Sequence, residues 1–327
     1  MKILVTGANS FLGFHVVKRL NERGIRPRAL LPHDVDPKRV EGLQLDVVEG
    51  SVEDLPSLRA ACEGMDTVLH LAFLVTLGAG AEDQMRRVNV QGTRNLLDAA
   101  EGCGVGKVVV TGSALAVGVN RQPQALNETA DWATHRLDLP YALIRREAEQ
   151  EALKRAGDRM SVTVVSPSFT MGPDDYVGAP ANQLLRRLSA QRLPISIHIG
   201  FGVLDVRDFA EGMILAAERG RPGQRYLLSG HNVLIEEFFA EVADVAGVRP
   251  PRWRLPLWLV YVLVTLVEGW SKLTRKSPPI TRALLQIFGR YAWYDTEQAR
   301  TELGWQPRPL RTTLEDTIAW LRQNPKQ

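Results

Sequence analysis

KILVTGANSFLG, residues 2–13, joins a short apolar run to a turn of small residues. The run Ile3–Val5 has two β-branched members and is typical of a central parallel strand covered by helices on both faces. After Thr6 the backbone must turn, and apolar positions then recur three and four residues apart from Leu12 to Leu20, which predicts a helix. A strand, a glycine turn and a helix form the first half of a dinucleotide-binding unit, because the helix start attracts a pyrophosphate.

Bulk composition narrows the classes of protein to consider. The chain has 327 residues, of which 45% are hydrophobic and 24% charged, as expected of a soluble globular protein with an ample core. The net charge of +3 is too small to indicate a nucleic-acid partner. Cys62 and Cys103 fit no metal-ligand spacing, so we expect buried thiols and no metal site. The chain starts directly with a strand rather than a signal peptide, which favours the cytoplasm.

The glycine turn resembles a known fingerprint. Residues 6–13 are similar to the Thr-Gly-x-x-Gly-x-x-Gly motif of the extended short-chain dehydrogenase/reductase superfamily, with Ser10 in place of the middle glycine. The side chain of Ser10 either crowds the pyrophosphate or donates a hydrogen bond to it. The resemblance implies NAD or NADP as cofactor. The residues it places at the pyrophosphate are Gly7, Ser10, Phe11, Leu12 and Gly13.

The choice between NAD and NADP depends on the end of the second strand, predicted at residues 28–31. In the family an acidic residue there holds the ribose hydroxyl of NAD, or an arginine holds the phosphate of NADP. Here Leu31, Pro32 and His33 occupy that corner. Asp34, or Arg28 together with Lys38, remain as candidates, so the preference stays open.

Further cofactor contacts are implied by resemblance alone. Ser51, with Val52 after it, stands after the third strand where the family commonly has an aspartate that contacts the adenine. The stretch His70-Leu71-Ala72-Phe73 resembles the family's His-x-Ala-Ala along the cofactor ribose, although His70 lies in an apolar run and is predicted to be a packed core histidine. Asn89 resembles the asparagine that organises the active site. Pro167 and Ser168 resemble the segment near the nicotinamide.

The candidate catalytic residues are Ser113, Tyr141 and Arg145. Ser113 follows the fifth strand, predicted at residues 107–111, at the edge where open α/β sheets bind ligands. Tyr141 and Arg145 are four residues apart on one face of a predicted helix. The arrangement resembles the family's Tyr-x-x-x-Lys with an upstream serine or threonine. It implies that Tyr141 is the general acid/base, Ser113 orients the substrate oxygen and Arg145 supplies charge and a ribose contact.

The exchange of lysine for Arg145 is not conservative. A free phenol has a pKa of about 10, so only about one in a thousand is ionised at neutral pH and a nearby cation is needed. A guanidinium is a permanent cation with several donors, but it is bulkier than an ammonium and cannot pass on a proton. The alternative is an exposed tyrosine beside a solvated arginine on a helix surface.

The resemblance covers nearly the whole chain and implies an α/β fold: a Rossmann-type doubly wound parallel sheet with an interleaved smaller C-terminal substrate lobe. We expect a dinucleotide-binding domain at 1–165 with return segments near 202–224, and a mainly substrate-binding lobe at 166–327. Asp208 is predicted to cap a helix in the return segment. Nucleotide-sugar members carry Arg-Asp-aromatic just before this helix. Residues 201–203, Phe-Gly-Val, stand there instead and argue against a nucleotide sugar.

The segment from Trp253 to Lys276 is unusual, because an apolar helix predicted to start at Pro256 has aromatic and basic residues at its edges. An apolar run of residues 257–267 is too short for a bilayer, which needs about 20 residues. Such a helix can lie at a membrane surface, roof an apolar pocket, or be buried in the lobe or at a homodimer contact. The first possibility corresponds to peripheral membrane contact through residues 256–276.

These features together predict a nicotinamide-dependent oxidoreductase that acts on a hydroxyl or ketone of a hydrophobic small molecule. The whole chain resembles the dihydroflavonol-reductase and hydroxysteroid-dehydrogenase branch of the superfamily, and hopanoid-associated epimerase-like proteins. One alternative is an epimerase or dehydratase, which retains its cofactor and shows no net change in absorbance. Another is a non-catalytic NAD(P)-binding or sensing protein, suggested by the altered residues Ser10, Leu31, Ser51 and Arg145.

Overall fold

A computed structural model describes residues 1–76, 80–193, 195–251, 253–274 and 284–325. The strands are β1 Ile3–Thr6, β2 Arg28–Leu31, β3 Asp46–Glu49, β4 Thr67–His70, β5 Lys107–Thr111, β6 Ser161–Pro167, β7 Phe169–Met171, β8 Ile195–Ser196, β9 Gly200–Asp205, β10 Arg225–Leu228, β11 His231–Leu234, β12 Trp253–Arg254 and β13 Tyr291–Ala292. The α-helices are α1 Phe11–Glu22, α2 Leu55–Cys62, α3 Glu82–Met85, α4 Gly92–Gly102, α5 Trp132–His135, α6 Pro140–Leu153, α7 Pro180–Ser189, α8 Val206–Arg219, α9 Ile235–Ala246, α10 Leu257–Thr274 and α11 Leu310–Gln323. Shorter helical turns cover Pro37–Arg39, Arg86–Gln91, Ala114–Ala116, Leu284–Ile287 and Ala299–Leu303.

The central sheet has seven parallel strands in the order β10-β6-β5-β4-β1-β2-β3. The side chains of β1 alternate between two cores: Ile3 and Val5 pack with residues of α1 and α8, and Leu4 packs with residues of α2 and α4. This sheet therefore has helices on both faces, as the sequence predicts. The strand order reverses between β1 and β4, and open α/β sheets bind ligands at the carboxyl edge of such a switch point.

A second, smaller core forms around β9. This strand pairs with β7, β11 and β13, and buried residues of α7, α9 and α11 pack in the same cluster. The two parts are interleaved in sequence, because β10 follows β9 and α8 but joins the central sheet beside β6. The predicted fold class is confirmed.

Two smaller features complete the fold. The pair β8–β12 and helix α10 adjoin a small cluster of Val260, Val264 and Leu285. Among the described residues, none of the helices combines the length and apolar character needed to cross a lipid bilayer.

The prediction that Asp208 caps a helix is wrong, because α8 starts at Val206, three residues before the start that this cap implies. Asp205 is the N-cap residue, and its carboxylate accepts from the backbone N–H of Arg207 at 2.8 Å. Asp208 lies in the first turn and accepts from the backbone and Nε of Arg308, each at 2.8 Å. It therefore ties α8 to the segment before α11.

Candidate active site

Arg145 is buried at the carboxyl edge of the central sheet, with only 2% of its surface exposed. Its Nη2 donates to the carbonyl oxygens of Thr111 at 2.5 Å and Gly112 at 2.7 Å, where the chain leaves β5. The guanidinium carbon lies 3.6 Å from the centroid of the Phe73 ring, in a cation–π contact. This arginine is not a solvated surface residue. Tyr141, one turn earlier on α6, is half-buried.

Two neighbouring groups oppose the effect of burial on the pKa of Arg145. Burial lowers the pKa of the guanidinium, while Tyr141 and Glu149 favour its charged form. Nε and Nη1 are buried without a hydrogen-bond partner among the described residues. Because buried donors left unpaired are costly, a bound ligand is the natural source of acceptors for them. The ribose hydroxyls of a dinucleotide have the right chemistry.

Ser113 is positioned by Glu149, a buried glutamate that was not among the predicted site residues. The backbone N–H of Ser113 donates to Oε1 of Glu149 at 2.7 Å. Oε2 of Glu149 lies 2.7 Å from Nη2 of Arg225 on β10. A Cβ on Gly112 would stand 2.4 Å from Oε1, so only glycine leaves room for this carboxylate. The available signal was its spacing, because Tyr141, Arg145 and Glu149 follow one helical face at intervals of four.

The turn before α1 packs too closely for side chains at its glycines. Gly7 has a φ of +73°, and a Cβ on Gly13 would lie 2.0 Å from the carbonyl oxygen of Gly7. The hydroxyl of Ser10 donates to that carbonyl at 2.7 Å and accepts from the N–H of Gly13 at 3.0 Å. Ser10 is thus the N-cap of α1, and its hydroxyl proton is already used.

The first amides of α1 remain free to bind an anion. Within the described chain, neither a backbone nor a side-chain acceptor is found for the N–H groups of Phe11 and Leu12. Two free amides at the positive end of a helix fit a pyrophosphate. The predicted pyrophosphate residues therefore lie together in one turn.

The segment after β4 is held in place by Asn89. Its side-chain oxygen accepts from the N–H of Leu74 at 2.8 Å, and its nitrogen donates to the carbonyl oxygen of Leu74 at 2.9 Å. The amides of Leu71 and Ala72 donate to the hydroxyl of Thr6, each at 3.2 Å. These bonds fix the backbone on both sides of Phe73, on which Arg145 stacks. Asn89 itself lies in a π-helical turn, a feature often seen at functional sites.

His70 is in the core, as predicted. Its Nδ1 lies 2.7 Å from the hydroxyl of Thr6 and its Nε2 lies 3.2 Å from the hydroxyl of Thr93. Thr93 donates its proton to the carbonyl oxygen of Asn89 at 2.6 Å, so we assign the imidazole proton to Nε2. Burial, with a smaller effect of Arg145, lowers the pKa of His70 to about 3. The ring is therefore neutral and structural.

Two of the three residues proposed to select between NAD and NADP keep positions that allow this role. The guanidinium of Arg28 donates to the carbonyl oxygens of Ala61 at 2.9 Å and Glu63 at 2.8 Å, at the end of α2. Arg28 also stands at the amino end of β2, away from the ligand edge. It is therefore not placed to bind a phosphate of NADP, and Asp34 and Lys38 remain.

Ser51 and Val52 lie after β3 with different exposure. Ser51 is exposed, and its hydroxyl accepts from the N–H of Glu53 at 3.2 Å. Val52 is buried and packs under Gly92, where a Cβ would come within 2.7 Å of its Cγ2. Ser51 is thus the more accessible of the two to an adenine ring.

Pro167 and Ser168 lie at the end of β6. The backbone N–H of Ser168 donates to the carbonyl oxygen of Leu228 at 2.9 Å. Its hydroxyl is buried, and no hydrogen-bond partner for it is found in the described part of the chain. Phe169 follows directly and meets Phe201 edge-on, with ring centroids 5.7 Å apart. Phe169 is half-buried, whereas Phe201 belongs to the buried core.

The chain is similar over nearly its whole length to several known proteins. The chain is 28% identical over 325 residues to sterol demethylase protein B of Methylococcus capsulatus, covering 99% of each chain. It is 28% identical over 320 residues to 4-hydroxy-2-methyl-3-oxo-4-farnesyl-3,4-dihydroquinoline-1-oxide ketoreductase of Stigmatella aurantiaca, covering 94% of this chain and 92% of that one. The crystal structure of gox2253 superimposes with a TM-score of 0.89 at 31% identity, covering 100% and 99% of the two chains. Residues 3–229 match the model of the NAD dependent epimerase/dehydratase family, and the chain belongs to this family of the extended short-chain dehydrogenases/reductases.

Proposed function

We propose that this protein is an NAD(P)-dependent oxidoreductase that interconverts a hydroxyl and a ketone on a hydrophobic small molecule. One observation carries the proposal: a buried guanidinium on the same face of α6 as Tyr141 stacks on Phe73, and two of its nitrogens have no hydrogen-bond partner among the described residues. A guanidinium in this position supplies a permanent positive charge on the same helix face as the tyrosine.

Each of the three residues has a distinct role in this proposal. The phenol of Tyr141 takes a proton from the substrate hydroxyl during oxidation and returns it during reduction. The hydroxyl of Ser113, for which no partner is found within the described residues, holds the substrate oxygen beside that phenol. Arg145 supplies positive charge and binds the cofactor ribose. The nicotinamide, when bound, accepts or supplies the hydride.

The proposed cofactor site follows the ligand edge of the central sheet, with the dinucleotide on residues 1–165 and the return segments near 202–224, and the substrate mainly on 166–327. The free amides of α1 support pyrophosphate binding, and the buried donors of Arg145 support ribose binding. The residues proposed to contact NAD or NADP are Gly7, Ser10, Phe11, Leu12, Gly13, Ser51, Val52, Leu71, Ala72, Phe73, Tyr141, Arg145, Pro167 and Ser168.

Two findings support a hydrophobic substrate. Phe169, half-buried directly after Ser168, offers an aromatic ring beside the proposed nicotinamide segment, and it rests edge-on against the buried Phe201. The relatives named above are a sterol demethylase protein and a ketoreductase whose named compound carries a farnesyl group. Residues 256–276 are proposed as the outward contact, with a membrane surface or with a second copy in a homodimer. Arg275 and Lys276 lie outside the described residues.

The test is Tyr141→Phe, assayed by the absorbance of NADH and NADPH with a 3-ketosteroid as probe. We expect turnover to fall by about a hundredfold or more, because positioned acid/base groups contribute factors of about 10² to 10⁴. Calorimetric titration with NAD, NADH, NADP and NADPH should show that cofactor binding is largely intact, because most of the proposed cofactor contacts remain. Unchanged turnover would refute the acid/base role of Tyr141.

The same titrations, together with the absorbance assay, distinguish the two alternative functions. Cofactor that stays bound through purification, with no net absorbance change on any ketone or alcohol, would instead support an epimerase or dehydratase. Weak binding of all four dinucleotides, with no isotope transfer from labelled cofactor, would support a non-catalytic protein.

A further inference from the structure

One face of helix α10 is apolar and exposed. Trp258 is 67% exposed and Leu266 is 64% exposed, and Tyr261 and Val262 beside them are also exposed. Their spacing of three, four and eight residues puts them on one side of the helix. Large apolar side chains concentrated in this way mark a contact surface rather than ordinary scattered exposure.

The opposite face of α10 accounts for its attachment to the protein. Val260 and Val264 are buried against Leu285, in a cluster that also includes Ile197 and Phe288. The exposed Thr265 donates its hydroxyl proton to the carbonyl oxygen of Tyr261 at 2.8 Å, so its donor is satisfied within the helix. The outward side can therefore enter an apolar medium without stranding a hydroxyl proton.

The charge around this helix indicates which medium it meets. Between residues 248 and 283 the sequence has seven lysines and arginines but only one acid, Glu268, a net charge of +6 where the whole chain has +3. The rest of the protein is therefore net negative. Arg249 and Arg254, just before α10, are exposed, and Nε of Arg254 lies 3.5 Å from Oε1 of Glu236. The cations in this segment are Arg249, Arg252, Arg254, Lys272, Arg275, Lys276 and Arg282.

We propose that the exposed face of α10 docks the protein on an anionic membrane surface. Aromatic and apolar side chains of such a helix enter the boundary between headgroups and acyl chains, and nearby cations bind the anionic headgroups. A second copy of this chain would bring two strongly positive segments together, which disfavours a symmetric contact. Trp253, also exposed on β12, lies immediately before the helix and extends the apolar surface.

This surface is connected to the candidate active site through one short turn. Leu285, on which α10 rests, is followed by Gln286, whose side-chain oxygen accepts from the N–H of Asp138 at 3.0 Å. The nitrogen of Gln286 donates to the carbonyl oxygen of Asp138 at 3.1 Å, three residues before Tyr141. If the proposed function holds, docking places the site next to a reservoir of apolar substrate.

Vesicle flotation tests the docking without any enzyme assay. We expect the full chain to float at 0.1 M NaCl with vesicles of phosphatidylcholine and phosphatidylglycerol, and to float much less with phosphatidylcholine alone. In 1 M NaCl, where the Debye length is only about 3 Å, flotation with anionic vesicles should fall. The double variant Trp258→Ser, Leu266→Ser should lower the bound fraction by about tenfold or more, since two apolar anchors are lost.

Two matched variants make the result specific. Val47→Ser replaces an apolar residue that is 54% exposed on β3, and it should float like the parent protein. Tyr141→Phe should also float normally, so a failure of the proposed function leaves the docking result intact. Flotation that is indifferent to lipid charge or to the double variant overturns the proposal. So does a dimer in sedimentation that the double variant abolishes while vesicles bind neither protein.

Discussion

At the scale of a single residue, Arg145 does what the usual lysine cannot do. A lysine ammonium is a compact point charge, whereas a guanidinium is a flat cation that stacks on a ring and donates in several directions. Here one nitrogen binds two carbonyl oxygens at the end of β5 while the plane rests on Phe73. These contacts fit the shape of a guanidinium better than that of an ammonium.

Arg145→Lys should therefore lower activity rather than restore it. Losing the ring contact and a carbonyl bond should reduce the free energy of unfolding by about 1–2 kcal/mol. Turnover should fall by about tenfold, because a displaced cation stabilises the transition state less. A tenfold change corresponds to about 1.4 kcal/mol of activation free energy. Urea unfolding and the ketone assay measure the two quantities.

The adjacent Arg146 provides the control. Its guanidinium also lies over a ring, 4.3 Å from the centroid of Trp132, and donates to the carbonyl oxygen of Ala116 at 3.2 Å. Arg146→Lys removes a similar stacked contact on the same helix but should leave turnover nearly unchanged. Higher turnover of Arg145→Lys than of the parent protein would mean that the natural arginine impairs the activity.

At the scale of an element, the start of α1 shows how a missing glycine is accommodated. Ser10 takes the N-cap position, and its hydroxyl bridges Gly7 and Gly13 across the turn. The hydroxyl thus acts on the helix, and the amides of Phe11 and Leu12 stay available to an anion. Of the two possibilities left open by the sequence, donation from this hydroxyl to the pyrophosphate is disfavoured, because its proton is already bound.

Substitutions of Ser10 should separate capping from cofactor contact. Ser10→Ala should lower the free energy of unfolding by about 1 kcal/mol, and Ser10→Gly by only a few tenths, since glycine is a better N-cap residue than alanine. Thermal and urea unfolding of the apo protein measure this difference. Two variants of equal stability that both bind NAD and NADP more weakly would show that the hydroxyl contacts the pyrophosphate after all.

What the sequence could predict follows from the range of each interaction. The strands Arg28–Leu31 and Lys107–Thr111 were predicted at their observed bounds, because short local apolar runs determine them. The partnership of Glu149 with Arg225 was not predictable, since it arises only when β10 returns beside β6. For the same reason Asp208 was misread as a cap, because its true partner Arg308 lies far along the chain.

At the scale of the whole molecule, two buried histidines join distant parts of the chain. His70 connects β1, β4 and α4 through the hydroxyls of Thr6 and Thr93. His15, on α1, donates from Nε2 to the carbonyl oxygen of Pro173 at 3.0 Å, which attaches the helix of the glycine turn to the segment after β7. Burial lowers the pKa of His15 to about 4 and that of His70 to about 3. Both joints therefore depend on neutral imidazoles.

This dependence predicts the loss of stability in acid. Below its ordinary pKa of about 6.5 an unfolded histidine binds a proton, whereas the folded protein resists protonation of His15 until about pH 4 and of His70 until about pH 3. The unfolded state thus holds more protons in this window, and stability falls as the pH drops. Each histidine should contribute a slope of up to about 1.4 kcal/mol per pH unit between pH 6 and 4.5. Urea unfolding at several pH values should show His15→Asn with a shallower slope than the parent protein. The exposed His33→Asn should keep the parent slope, and equal slopes in all three proteins would contradict the assignment.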